Sequence, residues 1–231
     1  GTEQVIRTAD WVAGLPEATE ILPSAPAWAL TGLALGGLWL CVLRGRLRLA
    51  GLAGILLFAA ANARVVPPDL IVSGEGDLAA VRGENGYLFS SLRHGRFTRE
   101  NWLEHAGFRA DEAAQWTRDG GYGRPRQEGL RCDGVGCVLT RAGWRVVLAE
   151  TRAALAEDCG RADLVIALVP AGRACEGTGG TGARVIDLFD LRAKGAHSIT
   201  LGPAIEIQAV NDGRGARPWV VRPRRKRADG E

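Results

Sequence analysis

Methionine is absent from this chain of 231 residues, and histidine nearly so, with three copies. A translated chain starts with methionine, and one of this length normally holds several more. The sequence therefore reads as a piece of a longer protein, and Gly1 carries no information about a signal peptide. None of the histidines, His94, His105 and His197, belongs to an H-x-H-x-D-H cluster or an H-E-x-x-H pair. A metallohydrolase of those types lacks its ligands, and the three read as surface or loop residues. There is also no G-x-S-x-G elbow and no P-loop, which removes the common serine-hydrolase and nucleotide-hydrolysing readings. A strong excess of one charge is missing too: the net charge of +3 neither requires nor excludes a nucleic-acid partner. The remaining composition, 46% hydrophobic and 24% charged, is that of a folded protein of one or two domains. No internal repeat is visible.

Long apolar runs are present. "PAWALTGLALGGLWLCVL", Pro26 to Leu43, carries no charge and is close to the minimum length of a bilayer span. Its Gly32, Gly36 and Gly37 suit close packing of membrane helices, and Trp28 and Trp39 lie near its ends, where indole rings favour the interface. A second run, "LAGLAGILLFAAANA", Leu49 to Ala63, is short for a span unless Arg64 snorkels. The linker "RGRLR", Arg44 to Arg48, belongs in the cytoplasm by the positive-inside rule. The expectation is a transmembrane helical hairpin over 26–66, with everything after about Pro67 outside the cytoplasm. The competing reading is a buried hairpin of a soluble domain, against which stands the lack of any polar face. Upstream, Val5, Ile6, Ala9, Val12 and Ala13 form one apolar face of a short helix, so 1–25 reads as an interfacial segment or as a loop packed on its own domain.

Beyond Pro67–Pro68 the pattern changes to short strands and turns. "DLIVS" and "DLAAVR" read as strands around Gly74–Gly76, and "GYLFSS" follows the Glu84-Asn85-Gly86 turn. "TRENWLEHAG" reads as a helix capped by Thr98 and ended by Gly107. "RCDGVGCVLTRAGWRVVLAE" reads as a meander turning at Asp133-Gly134 and at Ala142-Gly143. "TRAALAEDCG" is a short helix with Thr151 as cap. "ADLVIALV" suits a strand buried on both faces. "DLFDLRAKGA" is a helix capped by Asp187 and stopped by Gly195, followed by the strands "SITL" and "AIEIQAV". This mixture predicts an α+β fold built as an α/β sandwich over 67–218, with a basic, disordered tail over 219–231.

Of five cysteines, Cys41 lies within the first apolar run and reads as a lone buried thiol. The other four are spaced C-x4-C and C-x15-C. They lack the tight C-x2-C knuckle of structural zinc, and no histidine lies near them. In an oxidising compartment they are better read as two disulfides. Cys132 and Cys137 flank a hairpin turn, and Cys159 and Cys175 tie a loop to the core. Four cysteines allow three connectivities, of which 132–137 with 159–175 is preferred. "CEGTGGTG", Cys175 to Gly182, is Gly-rich but has no following G-K-[ST] and reads as a flexible loop. The basic residues are mostly arginines: Arg93, Arg96, Arg99 and Arg109, then Arg118, Arg124, Arg126 and Arg131. Such a run suits phosphate, with Arg93, Arg96, Arg99, Arg124 and Arg126 the candidate DNA contacts; a solvated face is the alternative.

The surface segment, the Gly-rich hairpin with its basic loop, and then "PDLIVSGEGDLAAVR" resemble the C-terminal part of ComEC-type competence proteins, the inner-membrane DNA-uptake channels of natural transformation. Ser73-Gly74-Glu75-Gly76-Asp77 matches part of that family's D-V-G-Q-G-D opening. "WRVVLAETRAALAEDCGRADLVIALVP" is similar to its strand, helix and "AD-x-L-x-V-x-H-H-G-S" stretch. The departures concern the metal site: "LAE", Leu148 to Glu150, stands where the family has T-G-D, and "ALVPAGRAC" where it has H-H-G-S. The resemblance implies a periplasmic, degenerate metallo-β-lactamase-like domain after a membrane hairpin, in a bacterial inner-membrane protein that passes single-stranded DNA. It implies no metal, no cofactor and no hydrolysis, with Gly74, Gly76 and Asp77 a structural turn. The implied partners are single-stranded DNA, membrane lipid, the rest of the channel, further copies of the chain and other competence proteins. The competing functions are a membrane-anchored, metal-dependent nuclease or hydrolase, and a disulfide-stapled envelope domain with no DNA role.

Overall fold

The computed structural model describes residues 1–15, 21–116, 129–172, 174–175 and 183–214. The chain divides into two compact units: Gly1–Val66 with Glu100–Asp111, and Pro67–Arg99 with the chain from Glu112 onward. The first unit thus takes in segments 1–25 and 26–66 together with 100–111. The expected disordered tail, 219–231, lies outside the described residues.

In the first unit, α1 (Thr2–Ala13) leaves every residue exposed, Val5, Ile6, Trp11 and Val12 included. Its apolar face is open. Helix α2 (Ala27–Val42) starts after Pro26, and Leu43 ends it in extended backbone. A 3-10 turn, Arg46–Gly51, takes up the start of the second apolar run, so α3 covers only Leu52–Asn62. Among the described residues no helix is long and apolar enough to cross a membrane. The 16 residues of α2 reach about 24 Å, against the ~30 Å of a hydrocarbon core. The expected hairpin is present, with helices shorter than a full span.

The two hairpin helices meet through glycines. A Cβ on Gly36 would lie 2.5 Å from the Gly51 carbonyl oxygen and 3.1 Å from Gly54 Cα, and one on Gly54 would strike the Gly32 carbonyl. Large apolar side chains of both helices are exposed, among them Trp28, Leu35, Leu38, Trp39, Leu56 and Leu57. Cys41 is exposed as well, which corrects its reading as a buried thiol. The Trp39 Nε1–H donates to the Leu47 carbonyl at 3.1 Å and ties the connecting turn to α2. Helix α4 (Arg96–Ala106) begins two residues before the expected cap, Thr98, directly after Gly95 at φ 63. Gly107 ends it at φ 84, as expected.

The second unit is a sandwich of two sheets. Its strands are β1 (Leu70–Val72), β2 (Ala79–Arg82), β3 (Tyr87–Phe89), β4 (Ala114–Gln115), β5 (Leu130–Cys132), β6 (Gly136–Arg141) and β7 (Trp144–Ala149). Helix α5 (Arg152–Asp158), β8 (Leu164–Ala167), β9 (Arg184–Ile186), α6 (Leu188–Lys194), β10 (His197–Leu201) and β11 (Ile205–Ala209) complete it. One sheet has the order β11-β10-β1-β2-β3-β4 and the other β5-β6-β7-β8-β9. Leu70, Val81 and Ile199 of the first meet Leu139, Val146, Leu164 and Ile166 of the second in one buried core. Ala154, Leu155 and Ala162 cover the outer face of the second sheet over Val147 and Val165. All four residues of β8 are buried, because the core lies on one face and α5 on the other.

Local chemistry explains these elements. Ala142 (φ 50) and Gly143 (φ 83) form the two-residue turn between β6 and β7, the geometry that matches strand twist. The Thr151 hydroxyl accepts from the Ala154 amide, and Asp187 with Asp190 forms a capping box on α6. Gly195 stops α6 at φ 81. The expected α/β sandwich is present, with six helices and two sheets among the described residues.

Candidate functional site at the glycine-rich end of the sandwich

Strand β1 ends at Val72, and the next five residues, Ser73-Gly74-Glu75-Gly76-Asp77, turn the chain into β2. The Ser73 hydroxyl donates to Asp77 Oδ1 at 2.6 Å and accepts from the Asp77 and Leu78 amides at 3.2 Å each. Gly76 sits at φ 72, where a Cβ would be 3.0 Å from Leu188 Cδ1 and 3.8 Å from Leu168 Cα. The Leu168 amide in turn donates to the Ala149 carbonyl at 2.9 Å. The ends of β1, β7 and β8, with the start of α6, therefore converge at one end of the sandwich. Those strand ends carry the three stretches on which the family resemblance rests: Ser73–Asp77, Leu148–Glu150 and Ala167–Cys175.

This end is poor in chemistry. Ser73 and Asp77 satisfy each other and two backbone amides, which makes them a turn, as expected for Gly74, Gly76 and Asp77. Glu75 faces solvent with a loose contact to Arg192, 3.7 Å between exposed side chains, worth little in water. Among the described residues no group of three or more His, Cys, Asp and Glu side chains is arranged to hold a metal ion.

His197 lies at the same end, paired with Val72 across β1 and β10. It is buried, which corrects its reading as a surface or loop residue. Its Nδ1–H donates to the Gly195 carbonyl at 2.8 Å; a carbonyl only accepts, so Nε2 carries the lone pair. Burial pushes its pKa below the usual histidine range. The imidazole borders a polar cavity of about 250 Å³ with Arg184, Asp190, Lys194, Ile207 and Asp212. Asp190 and Asp212 each spend one oxygen on a backbone amide. The alternation of "HSITL" places His197 on the same face as the core residues Ile199 and Leu201 and was the available signal for its burial.

The lowered pKa makes a prediction. In acid the unfolded chain takes up a proton on this imidazole before the folded chain does. His197 therefore contributes stability that is present above its unfolded pKa near 6.5 and is lost as pH falls toward the lower folded value. The wild type should lose stability between about pH 7.5 and 5.5, with a slope from this group of no more than ~1.4 kcal/mol per pH unit. His197→Asn keeps a donor for the Gly195 carbonyl and should flatten that part of the profile. Parallel profiles of the denaturation midpoint would show that His197 does not carry it.

The disulfides are as expected. Cys132 and Cys137 face each other across β5 and β6, with Cα atoms 4.0 Å apart. Cys159, just past α5, joins Cys175 in the segment after β8, at 5.4 Å. Of the candidate DNA contacts, Arg93 is exposed between β3 and α4, and Arg96 is exposed at the start of α4. Arg99 is half-buried, and its guanidinium donates to the His94 carbonyl. Arg124 and Arg126 lie outside the described residues, as do Arg118 and most of "CEGTGGTG". No family model matches the sequence, and no curated protein or solved structure is similar to it.

Proposed function

We propose that the chain belongs to a ComEC-type DNA-uptake protein of a bacterial inner membrane, in which the hairpin lies in lipid and the sandwich faces the periplasm. The observation that carries this reading is a pair of helices joined through glycines, with large apolar side chains exposed, in a chain whose other unit holds two disulfides. In water, so much exposed leucine and tryptophan would associate; in hydrocarbon it is the expected surface. Helix α2 is short of a full span, so the hairpin would sit beside neighbouring helices or in a thinned bilayer. The open apolar face of α1 suits the interface, and Arg44, Arg46 and Arg48 suit the cytoplasmic side. Disulfides persist in the oxidising periplasm and are rare in cytosol. In this reading the sandwich has kept an architecture and given up hydrolysis, with the Ser73–Asp77 turn closed on itself. Its task would be to guide single-stranded DNA.

The test is thiol labelling in the intact cell envelope, using a membrane-impermeant maleimide with and without prior reduction. Labelling of Cys132, Cys137, Cys159 and Cys175 only after reduction, in unopened cells, is the expected result. Free thiols that react only once the membrane is broken would put the sandwich in the cytoplasm and overturn the reading.

A further inference from the structure

The turn between α2 and α3 holds a charge that nothing in the hairpin balances. Arg44, Arg46 and Arg48 are all exposed, and no Asp or Glu occurs in the sequence between Glu20 and Asp69. Among the described residues, none of these three guanidinium groups makes an ion pair or a hydrogen bond. Leucines alternate with them: Leu47 is 74% exposed and Leu49 56%. The turn is nevertheless held in shape. Gly45 redirects the chain at φ 80, the Trp39 indole donates to the Leu47 carbonyl, and Gly51 leaves no room for a Cβ beside the Gly36 carbonyl oxygen.

We infer that this turn docks phospholipids of net negative headgroup charge, Arg44, Arg46 and Arg48 pairing with the headgroups while Leu47 and Leu49 enter the acyl boundary. The inference rests on the reading that the hairpin lies in lipid, and it names the lipid that the hairpin's tip selects. Charge complementarity and the alternation carry it together. Arginines beside a bilayer are drawn to an anionic leaflet, and a guanidinium group can pair two phosphate oxygens at once. Water would solvate the arginines and leave the leucines uncovered. A nucleic acid would pair the arginines and leave the leucines in water as well. A surface that offers phosphates above hydrocarbon covers both kinds of side chain.

The experiment uses the full chain with its disulfides intact, in which the exposed Cys41, just before Arg44, is the one free thiol. The chain carries a bimane label on Cys41 and is reconstituted into vesicles of phosphatidylcholine with a minority of phosphatidylglycerol. Brominated, quenching acyl chains are placed on one lipid and then on the other. Phosphatidylglycerol should quench the label about fivefold more than its share of the bilayer predicts, the scale of one arginine at an anionic surface, and added salt should reduce that preference. Arg44→Gln, Arg46→Gln and Arg48→Gln should each lower it, and the triple variant should abolish it. Arg64→Gln, past the far end of α3, should leave it unchanged. If both lipids quench in proportion to their share, or the triple variant keeps the preference, the inference is overturned and the hairpin still lies in lipid. If an oligothymidylate added at low salt removes the preference, the turn belongs to nucleic acid and the inference is overturned. If neither lipid quenches the label, the inference and the lipid reading fail together.

Discussion

Replacing Asp69 by alanine is expected to cost the sandwich about 3–5 kcal/mol, the usual consequence of removing one member of a buried ion cluster. Asp69 precedes β1, and its side chain is 2% exposed. Its Oδ1 accepts from Arg82 Nη2 at 2.5 Å and from Arg141 Nη1 at 3.1 Å, and its Oδ2 accepts from the Leu201 amide at 2.7 Å. Arg141 also donates to the Arg82 carbonyl at 2.7 Å. One carboxylate thereby joins β1, β2 and β10 of one sheet to β6 of the other. Without it, two guanidinium groups lose a carboxylate partner and a buried amide loses its acceptor. Against a total stability on the order of 5–15 kcal/mol, that is a third or more. Tyr87 adds a neutral contact at the same place, its hydroxyl donating to the Pro68 carbonyl at 2.8 Å, and burial raises its pKa well above the usual tyrosine range. The measurement is the denaturant midpoint of the full chain in detergent, followed by near-ultraviolet dichroism. Glu75→Ala, which removes only an exposed pair, serves as control and should change stability by less than about 0.5 kcal/mol. A loss of under about 1 kcal/mol for Asp69→Ala would show that the cluster is no keystone.

The second large effect belongs to the hairpin. Gly36→Leu places a branched side chain where even a Cβ meets the Gly51 carbonyl oxygen at 2.5 Å. Neither that oxygen nor Gly54 Cα can move without moving a helix, so α2 and α3 must part. Overpacking of this kind costs about 1–3 kcal/mol for a single added group, and more for leucine. Gly37, the next residue, has nothing within 4 Å of an added Cβ. Gly37→Ala should therefore be neutral or stabilising, since alanine favours helix over glycine by roughly 1 kcal/mol. The comparison of Gly36→Ala with Gly37→Ala removes hydrophobicity and helix propensity from the question. The readout is the thermal midpoint of helical dichroism in detergent, where the expected order is Gly37→Ala above wild type, then Gly36→Ala, then Gly36→Leu. Equal midpoints for the two alanine variants would mean that the glycines do not form the seam.

The sequence by itself determined the local elements, because each is written in neighbouring residues. Thr151 and Asp187 announced their helices through side chains that cap the first turn, and Gly107 and Gly195 ended theirs where only a left-handed residue fits. Ala142-Gly143 announced a tight turn, and Asp133-Gly134 placed Cys132 opposite Cys137. The change of pattern at Pro67 marked the boundary between apolar helices and strands. Even the pairing of Cys159 with Cys175 was legible, since it follows once the hairpin has claimed the other two.

Tertiary structure decided everything that depends on residues far apart in the chain. That β10 pairs onto β1 and carries β11 on its other edge, rather than extending the sheet of β8 and β9, follows from which apolar faces meet in the core, and no local signal reports it. The two-residue strand β4 exists only because β3 offers it an open edge. Asp69 looked like any acidic residue before a strand; its partners come from positions 82, 141 and 201, and the cost of burying a charge makes that convergence obligatory. His197 became a buried group only when β1 and β11 closed on either side of it. The apolar runs gave the composition of membrane helices, but their length was cut by Pro26, by the extended backbone at Leu43 and by the 3-10 turn before α3. Composition is additive along the chain and can be read from it; packing, burial and helix length depend on what arrives from elsewhere.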